Sequence, residues 1–297
     1  MKIKTADKKL QPGAYKQRTR GQEIFRQFRK NKGAVIAAAV LVVMFAIMIF
    51  AQIYYDYDTD IVGITTNVLA KPSWEHPMGT DQLGRDVLAR LLYGGRWSIS
   101  LALISVFVSA VVGIVYGAIA TYIGGTVETI MMRIIEAIMM LPSILLVIVL
   151  VGVLGTSVPN LIIAMSIGGI PHLARLTRSA IMPIRNSDYV EAARAIGVSD
   201  ARILFTHILP NCISPMIVSI TMRVGGAIVS IASCSFLGVG VPKPMPEWGT
   251  MLSEARGFMQ VRPDLIFYPG IMILLFALAF SLLGDGLRDA LDPKLKR

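Results

Sequence analysis

Residues 33–53 read GAVIAAAVLVVMFAIMIFAQI, a run near 20 residues long with no charged side chain in it. About 20 residues of α-helix cross a hydrocarbon core of roughly 30 Å. A membrane β-strand would alternate every second residue, so the continuous run predicts a helix. The apolar core of a signal peptide is shorter, about 7–15 residues, and ends in a small-x-small site. This run closes on Phe50-Ala51-Gln52-Ile53 and follows a long basic flank, residues 1–32, so it reads as a retained membrane helix.

Outward from that span the pattern repeats. A polar segment, 54–97, opens with YYDYDTD, and a second apolar run covers Ser98 to Tyr122 before Gly124-Gly125. A third runs from Met131 to Val153 with Pro142 inside it. A weaker fourth, Val158 to Ala174, is interrupted by Gly168, Gly169 and Pro171, which predicts a broken helix. The fifth, Ile213 to Phe236, contains Arg223, and the sixth covers Tyr268 to Leu283. The expectation is an all-α integral membrane protein of about six transmembrane helices. The chain has 297 residues, 54% hydrophobic and 16% charged, against roughly 25% charged for ordinary soluble domains.

The net charge of +10 sits on flanks of apolar runs and not on one soluble basic face. That placement fits an anionic membrane lipid surface and argues against nucleic acid. With six crossings, both termini share one side. Lys and Arg number 21 on that side and 7 on the other, with Arg223 inside a span. The excess predicts both termini in the cytoplasm. Phe25 and Phe28, spaced among basic residues, suit either a helix lying on the membrane surface or a solvated flank. Trp74, Trp97, Trp248, Tyr54 and Tyr55 are expected at the membrane interfaces.

Between spans four and five lies NSDYVEAARAIGVSDARILFTHILPN, residues 186–211. Asp188-x-x-Glu191 reads as a capping box that starts a helix at Tyr189, and Ala192, Ala193 and Ala195 are strong helix formers. Gly197 supplies a turn and Ser199 can cap a second helix leading to Leu209-Pro210. Small side chains on the first arm allow another protein's surface to come close. An ordinary interfacial helix pair would read the same way.

Glu191-Ala192-Ala193, three residues, Gly197 and then Leu209-Pro210 resemble the EAA loop of ABC importer permeases, with His207 where the family pattern has Ile. Further stretches are similar to the second, C-type permease of the dipeptide, oligopeptide and nickel importers: FRQFRKNKGAV (25–35), HPMGTDQLGRDVLARLLYGGRWSISLAL (76–103), PEWGTMLSEAR (246–256) and GDGLRDALDPKL (284–295). The resemblance implies a type-1 ABC importer permease fold. Residues 33–53 would be an extra first helix, 54–97 an extracytoplasmic segment, 98–286 the permease core and 287–297 a cytoplasmic tail. It also implies the partners: a second permease subunit, two ATPase subunits and an extracytoplasmic binding protein that delivers peptide. Glu191, Ala192, Ala193, Gly197, Leu209 and Pro210 would form the coupling helix that the ATPase grips. A nickel chelate is the alternative cargo within the same family.

Arg223 lies about ten residues into its span, where a lipid-facing charge costs at least ~2.5 kcal/mol. It is expected either on the translocation pathway, meeting a peptide carboxylate, or paired with a group of the partner permease. Gly168 and Gly169 fit a pathway break or close helix packing. Arg133 and Glu136, three apart, are expected to pair within one helix, and His172 to hydrogen-bond near a helix end. Cys212 and Cys234, 22 residues apart on one helix, are too distant for a disulfide. No CxxC or Cys/His cluster suggests a metal, and Asp56, Asp58 and Asp60 lack the Gly and Glu of a calcium loop. With no phosphate-binding G-x-x-x-x-G-K-[ST], H-E-x-x-H or G-x-S-G, neither an enzyme nor a cofactor is expected. A proton- or sodium-driven carrier would need acids in mid-membrane, and the spans offer none there.

Overall fold

The computed structural model describes residues 20–291, and the basic tail 1–19 and the terminal residues 292–297 lie outside that range. Helices follow one another as α1 (Arg20–Lys30), α2 (Lys32–Tyr54), α3 (Val87–Ile123), α4 (Gly125–Met139), α5 (Ser143–Leu154), α6 (Val158–Ile181), α7 (Asp188–Ala195), α8 (Asp200–Arg202), α9 (Leu209–Phe236), α10 (Trp248–Ala255) and α11 (Asp264–Leu291). A π turn, Ile203–Ile208, joins α8 to α9, so that helix runs unbroken as Asp200–Phe236.

Four helices among the described residues are long and apolar enough to cross a membrane: α2, α3, Asp200–Phe236 and α11. The bent pair α4 and α5 makes a fifth. The expected third span is therefore not one straight helix. It turns by 89° at Met140–Pro142, because Pro142 lacks an N–H and disfavours helical backbone at Leu141. The expected fourth span, α6, is 24 residues long but falls short in apolarity, since it carries His172, Arg175 and Arg178. It is also unbroken, contrary to the sequence expectation: Gly168, Gly169 and Pro171 all lie inside the helix. Neighbouring helices tolerate a proline in this setting, and Pro171 is buried against them.

Close approach of α3 to α6 organises the bundle. A Cβ on Gly113 would meet Ile170 O at 2.8 Å and Leu173 Cβ at 2.9 Å, and one on Gly117 would collide with the Ala174 carbonyl. Higher up, Ser109 Oγ donates to Ser105 O (2.7 Å) and Ser166 O (3.0 Å), and Ser166 Oγ donates to Ser105 O (3.2 Å). Small residues and short hydrogen bonds thus take the place of a hydrophobic driving force, which lipid does not supply.

The end of the bundle that carries α10 is clamped by buried charge. Asp81 Oδ2 accepts from Arg85 Nε (2.7 Å) and Arg90 Nη1 (2.9 Å). Glu254 Oε2 accepts from Arg85 Nη2 (2.8 Å) and Arg90 Nη2 (3.0 Å). Two acids thus balance two arginines that are almost fully buried. Burial raises the Glu254 carboxyl above its ordinary value, against the opposing pull of Arg85 and Lys243. Alongside, Glu247 takes hydrogen bonds from Ser98 Oγ and Thr250 N, and the Trp248 indole donates to Leu91 O at 2.9 Å. Trp248 is completely buried, so it is a core residue and not the interfacial anchor expected of it; Trp74 and Tyr54 are exposed. Arg262 bonds Asp264 and the carbonyls of Leu69 and Ala70, fastening the 54–86 segment to α11. Asp56 caps the π turn Tyr57–Ile61 by accepting from the amides of Asp58 and Thr59.

At the opposite end, α1 lies against α11. Asn31 caps α2 through Ala34 N and donates to Asp289, and Phe28 approaches Gly286.

Because the α3–α6 contact leaves no room, Gly117→Leu is expected to lower stability by about 1–3 kcal/mol. Gly270→Ala, inside α11 where a Cβ meets nothing within 4 Å, should not lower it and should gain up to about 1 kcal/mol of helix propensity. Thermal unfolding of the purified protein, followed by size exclusion, distinguishes the two.

Candidate functional site: a helical foot and a membrane cavity

The six residues of the expected docking element fall together at the end of the bundle opposite α10. α7 begins at Asp188, and Ser187, not Asp188, holds the N-cap position without a side-chain hydrogen bond, so the capping box does not form. The Ser187 hydroxyl instead turns back to Ile184 O (2.8 Å). The helix stops at Gly197, whose φ of +79° is left-handed. Val198 N donates to Ala193 O and Gly197 N to Arg194 O, the paired bonds of a Schellman motif. The turn expected at Gly197 is present and has this physical basis. Ser199 then occupies the cap position of α8, again without a side-chain bond.

Val190 is the single buried residue of α7 and is fully covered. It sits in a second core with Ile181, Ile203, Leu204, Ile208 and Met216, and Ala193, Val198 and Leu209 pack on its edge. Glu191, Ala192, Gly197 and Pro210 are exposed. The foot is therefore pinned from within and open outward. Polar contacts brace it: Tyr122 donates to Asp200, Arg194 lies over the Tyr122 ring at 5.2 Å, and Arg185 donates to Thr121 O (2.7 Å). Arg178 pairs with Glu128 at 2.5 Å. The sequence reading missed Ile196, an apolar tip 81% exposed beside Gly197, along with exposed Tyr189 and Phe205. A large apolar residue directly before a helix-ending glycine was the available signal.

Within the membrane, Arg223, Gly168 and Gly169 line one cavity of ≈290 Å³, together with Ser105, Ser109 and Ser143. The two glycines divide the two readings between them. A Cβ on Gly169 would strike Ser109, and it would sit 3.0 Å from Arg223 Nη2, whereas one on Gly168 meets nothing. Gly169 is thus a packing residue and Gly168 an open one. Arg223 also lines a second cavity, ≈810 Å³, which extends past His172 and Ser219 to Asn211 and Arg288. His172 bonds Ser219 Oγ at 3.2 Å and stands inside α6, not at its end. Arg133 and Glu136 form their intrahelical pair at 2.9 Å. Cys212 and Cys234 are buried free thiols.

This order of helices is shared with a solved chain of the MetNI methionine ABC transporter in inward-facing form. The TM-score is 0.57 at 17% identity, over 69% of this chain and 98% of that one. The fold is that of a type-1 ABC importer permease. Residues 97–297 match the model of the binding-protein-dependent transport system inner membrane component, and the chain belongs to that family of multi-pass inner-membrane proteins. Residues 19–72 match the N-terminal TM domain of oligopeptide transport permease C. The glutathione transport system permease protein GsiD of Escherichia coli O157:H7 is 43% identical over 279 residues, 94% of this chain and 92% of that protein. GsiD of Shigella boydii serotype 4 is similar to the same extent.

Replacing Val190 with Asp puts an unpaired charge into the second core. It is expected to cost at least about 3 kcal/mol locally. Hydrogen exchange should show the amides of α7 losing protection while those around Trp248 keep theirs.

Proposed function

We propose that this chain is one of two permease subunits of an ATP-driven peptide importer, with both termini and α7 in the cytoplasm. The likeness to GsiD, a permease of a glutathione system, supports a peptide cargo, since glutathione is itself a tripeptide. The excess of basic residues on the side of α7 supports the orientation. Residues 54–86 and α10 then form the outer end, where a binding protein would deliver its peptide.

In this reading the single observation that carries the coupling role is the α7 tip. Glu191, Ala192, Ile196 and Gly197 are exposed on a helix whose other side is buried through Val190. A cleft in an ATPase subunit would receive that tip. The small Ala192 and Gly197 allow close approach, and Ile196 supplies the apolar area that anchors such contacts. ATP binding closes the ATPases, draws the two coupling helices together and turns the permeases outward; hydrolysis resets them. The permease supplies a path and a lever, and no bond-making chemistry.

In the complete transporter, Ile196→Asp and Gly197→Trp are each expected to reduce co-purification of the ATPase and ATP-dependent peptide uptake about tenfold or more, the loss of one anchor contact. Wild-type levels of both in the two variants would remove α7 from the coupling role.

A further inference from the structure

Two residues that line the ≈290 Å³ cavity each hold a buried polar atom, Arg223 Nε and Ser105 Oγ, with no hydrogen-bond partner among the described residues. An orphaned buried polar group costs about 1–3 kcal/mol, more where it is charged, and a bound species beside it is one way to offset that cost. The other hydroxyls of the lining narrow its nature. Ser109 donates to Ser105 O and Ser166 O, and Ser230 donates to Gly226 O, so their protons are already committed. The hydroxyl and guanidinium donors left free are those of Arg223, Ser105 and Ser143. Neither this cavity nor the ≈810 Å³ cavity that shares Arg223 has an Asp or Glu in its lining among the described residues. A cation without a counter-charge in mid-membrane calls for an anion, and a planar carboxylate matches a guanidinium in both charge and geometry. Gly169 lets the Arg223 head group lie against α6, and Gly168 and Gly226 keep the space beside it open.

We propose that this cavity is an anion site inside the membrane that takes one carboxylate of the transported solute. Arg223 provides the charge and Ser105 one hydrogen bond. The cavity is the size of one end of a small peptide, and the larger cavity, beginning at the same arginine, receives the remainder on its way to the α7 end. The inference rests on the importer reading and adds the chemical feature the membrane pathway selects, a free carboxylate.

The test uses the assembled transporter, both permeases and both ATPases, in nanodiscs. Alanyl-alanine, its C-terminal amide and sodium chloride serve as probes. Ligand that binds the folded state raises the unfolding midpoint. Alanyl-alanine is expected to raise the apparent Tm by about 2–4 °C, and the amide and chloride to leave it in place. Arg223→Gln should abolish the shift, Arg223→Lys should keep part of it, and Ser105→Ala should raise the concentration required about threefold to tenfold, the value of one hydrogen bond. Co-purification of the second permease with Arg223→Gln should stay intact. The site is overturned if wild type shows no shift, if the amide or chloride works as well as the acid, or if Arg223→Gln retains the shift. Loss of the second permease from Arg223→Gln would likewise overturn it, by assigning Arg223 to an intersubunit pair. Should that variant fail to fold, Arg223→Lys and Ser105→Ala decide by the same readout. ATP-dependent uptake of alanyl-alanine by wild type, reconstituted with the binding protein, is measured separately. Its failure would sink the importer reading and leave a carboxylate-dependent shift standing on its own.

Discussion

The contact between α3 and α6 sets the positions of everything else. Gly113 and Gly117 allow the two backbones to meet at one end, and the Ser105, Ser109 and Ser166 hydrogen bonds hold them at mid-height. Above, α3 carries Arg90, Leu91 and Ser98 to the buried acids and the indole of the α10 end. Below, Thr121 and Tyr122 of the same helix reach Arg185 and Asp200 around the foot. One 37-residue helix therefore references both ends of the protein. Its register against α6 is fixed by residues too small to be replaced without separating the pair.

Charge is handled differently at three depths. At the α10 end, two arginines and two carboxylates neutralise one another out of water, an arrangement that is costly to break once assembled because the surviving partner stays buried. At the foot, Arg178 pairs with Glu128, Arg185 donates to the Thr121 carbonyl and Arg194 lies over the Tyr122 ring, all partly open to the surface. Between these levels stands Arg223, with hydroxyls around it and no acid. The contrast gives Arg223 its meaning. The same chain that pairs Arg85 and Arg90 with two carboxylates leaves this guanidinium open to a cavity.

The helical class and the apolar spans were legible because hydrophobic run length is a direct consequence of bilayer thickness. Gly197 was legible too, because a left-handed residue after a helix strongly favours glycine. Other readings failed where tertiary packing overrides local chemistry. Pro171 and its preceding glycines suggest a break, yet α3 packs along the segment and keeps it helical. Trp248 has the composition of an interfacial anchor, but the loop returns it to the core, where Leu91 O receives its indole proton. Asp188 was a sound cap candidate that lost the position to Ser187 by one residue. Ser105 and Arg223, more than a hundred positions apart, line one cavity, and no local pattern announces it.

The foot adjoins the start of the helix that carries the membrane arginine. From Asp200 the chain runs helical to Phe236, and Arg223 lies 23 residues along it, roughly 35 Å at 1.5 Å per residue. In the proposed importer, a displacement imposed at Ile196 and Gly197 passes through the Val190 core into the start of this helix and arrives at the cavity as a rotation or tilt. Pro215 interrupts the hydrogen-bond ladder between the two points and supplies a place for the helix to bend. Below that proline, residues of the helix face the second core. Above it, Arg223, Ser230 and Cys234 face the cavity. A bend there would move the guanidinium relative to Ser105 on α3, which the Gly113–Gly117 contact holds against α6. In the proposed site, separating those two donors would dismantle the carboxylate pocket and bringing them together would assemble it, so the geometry that binds the solute would also release it when the foot moves.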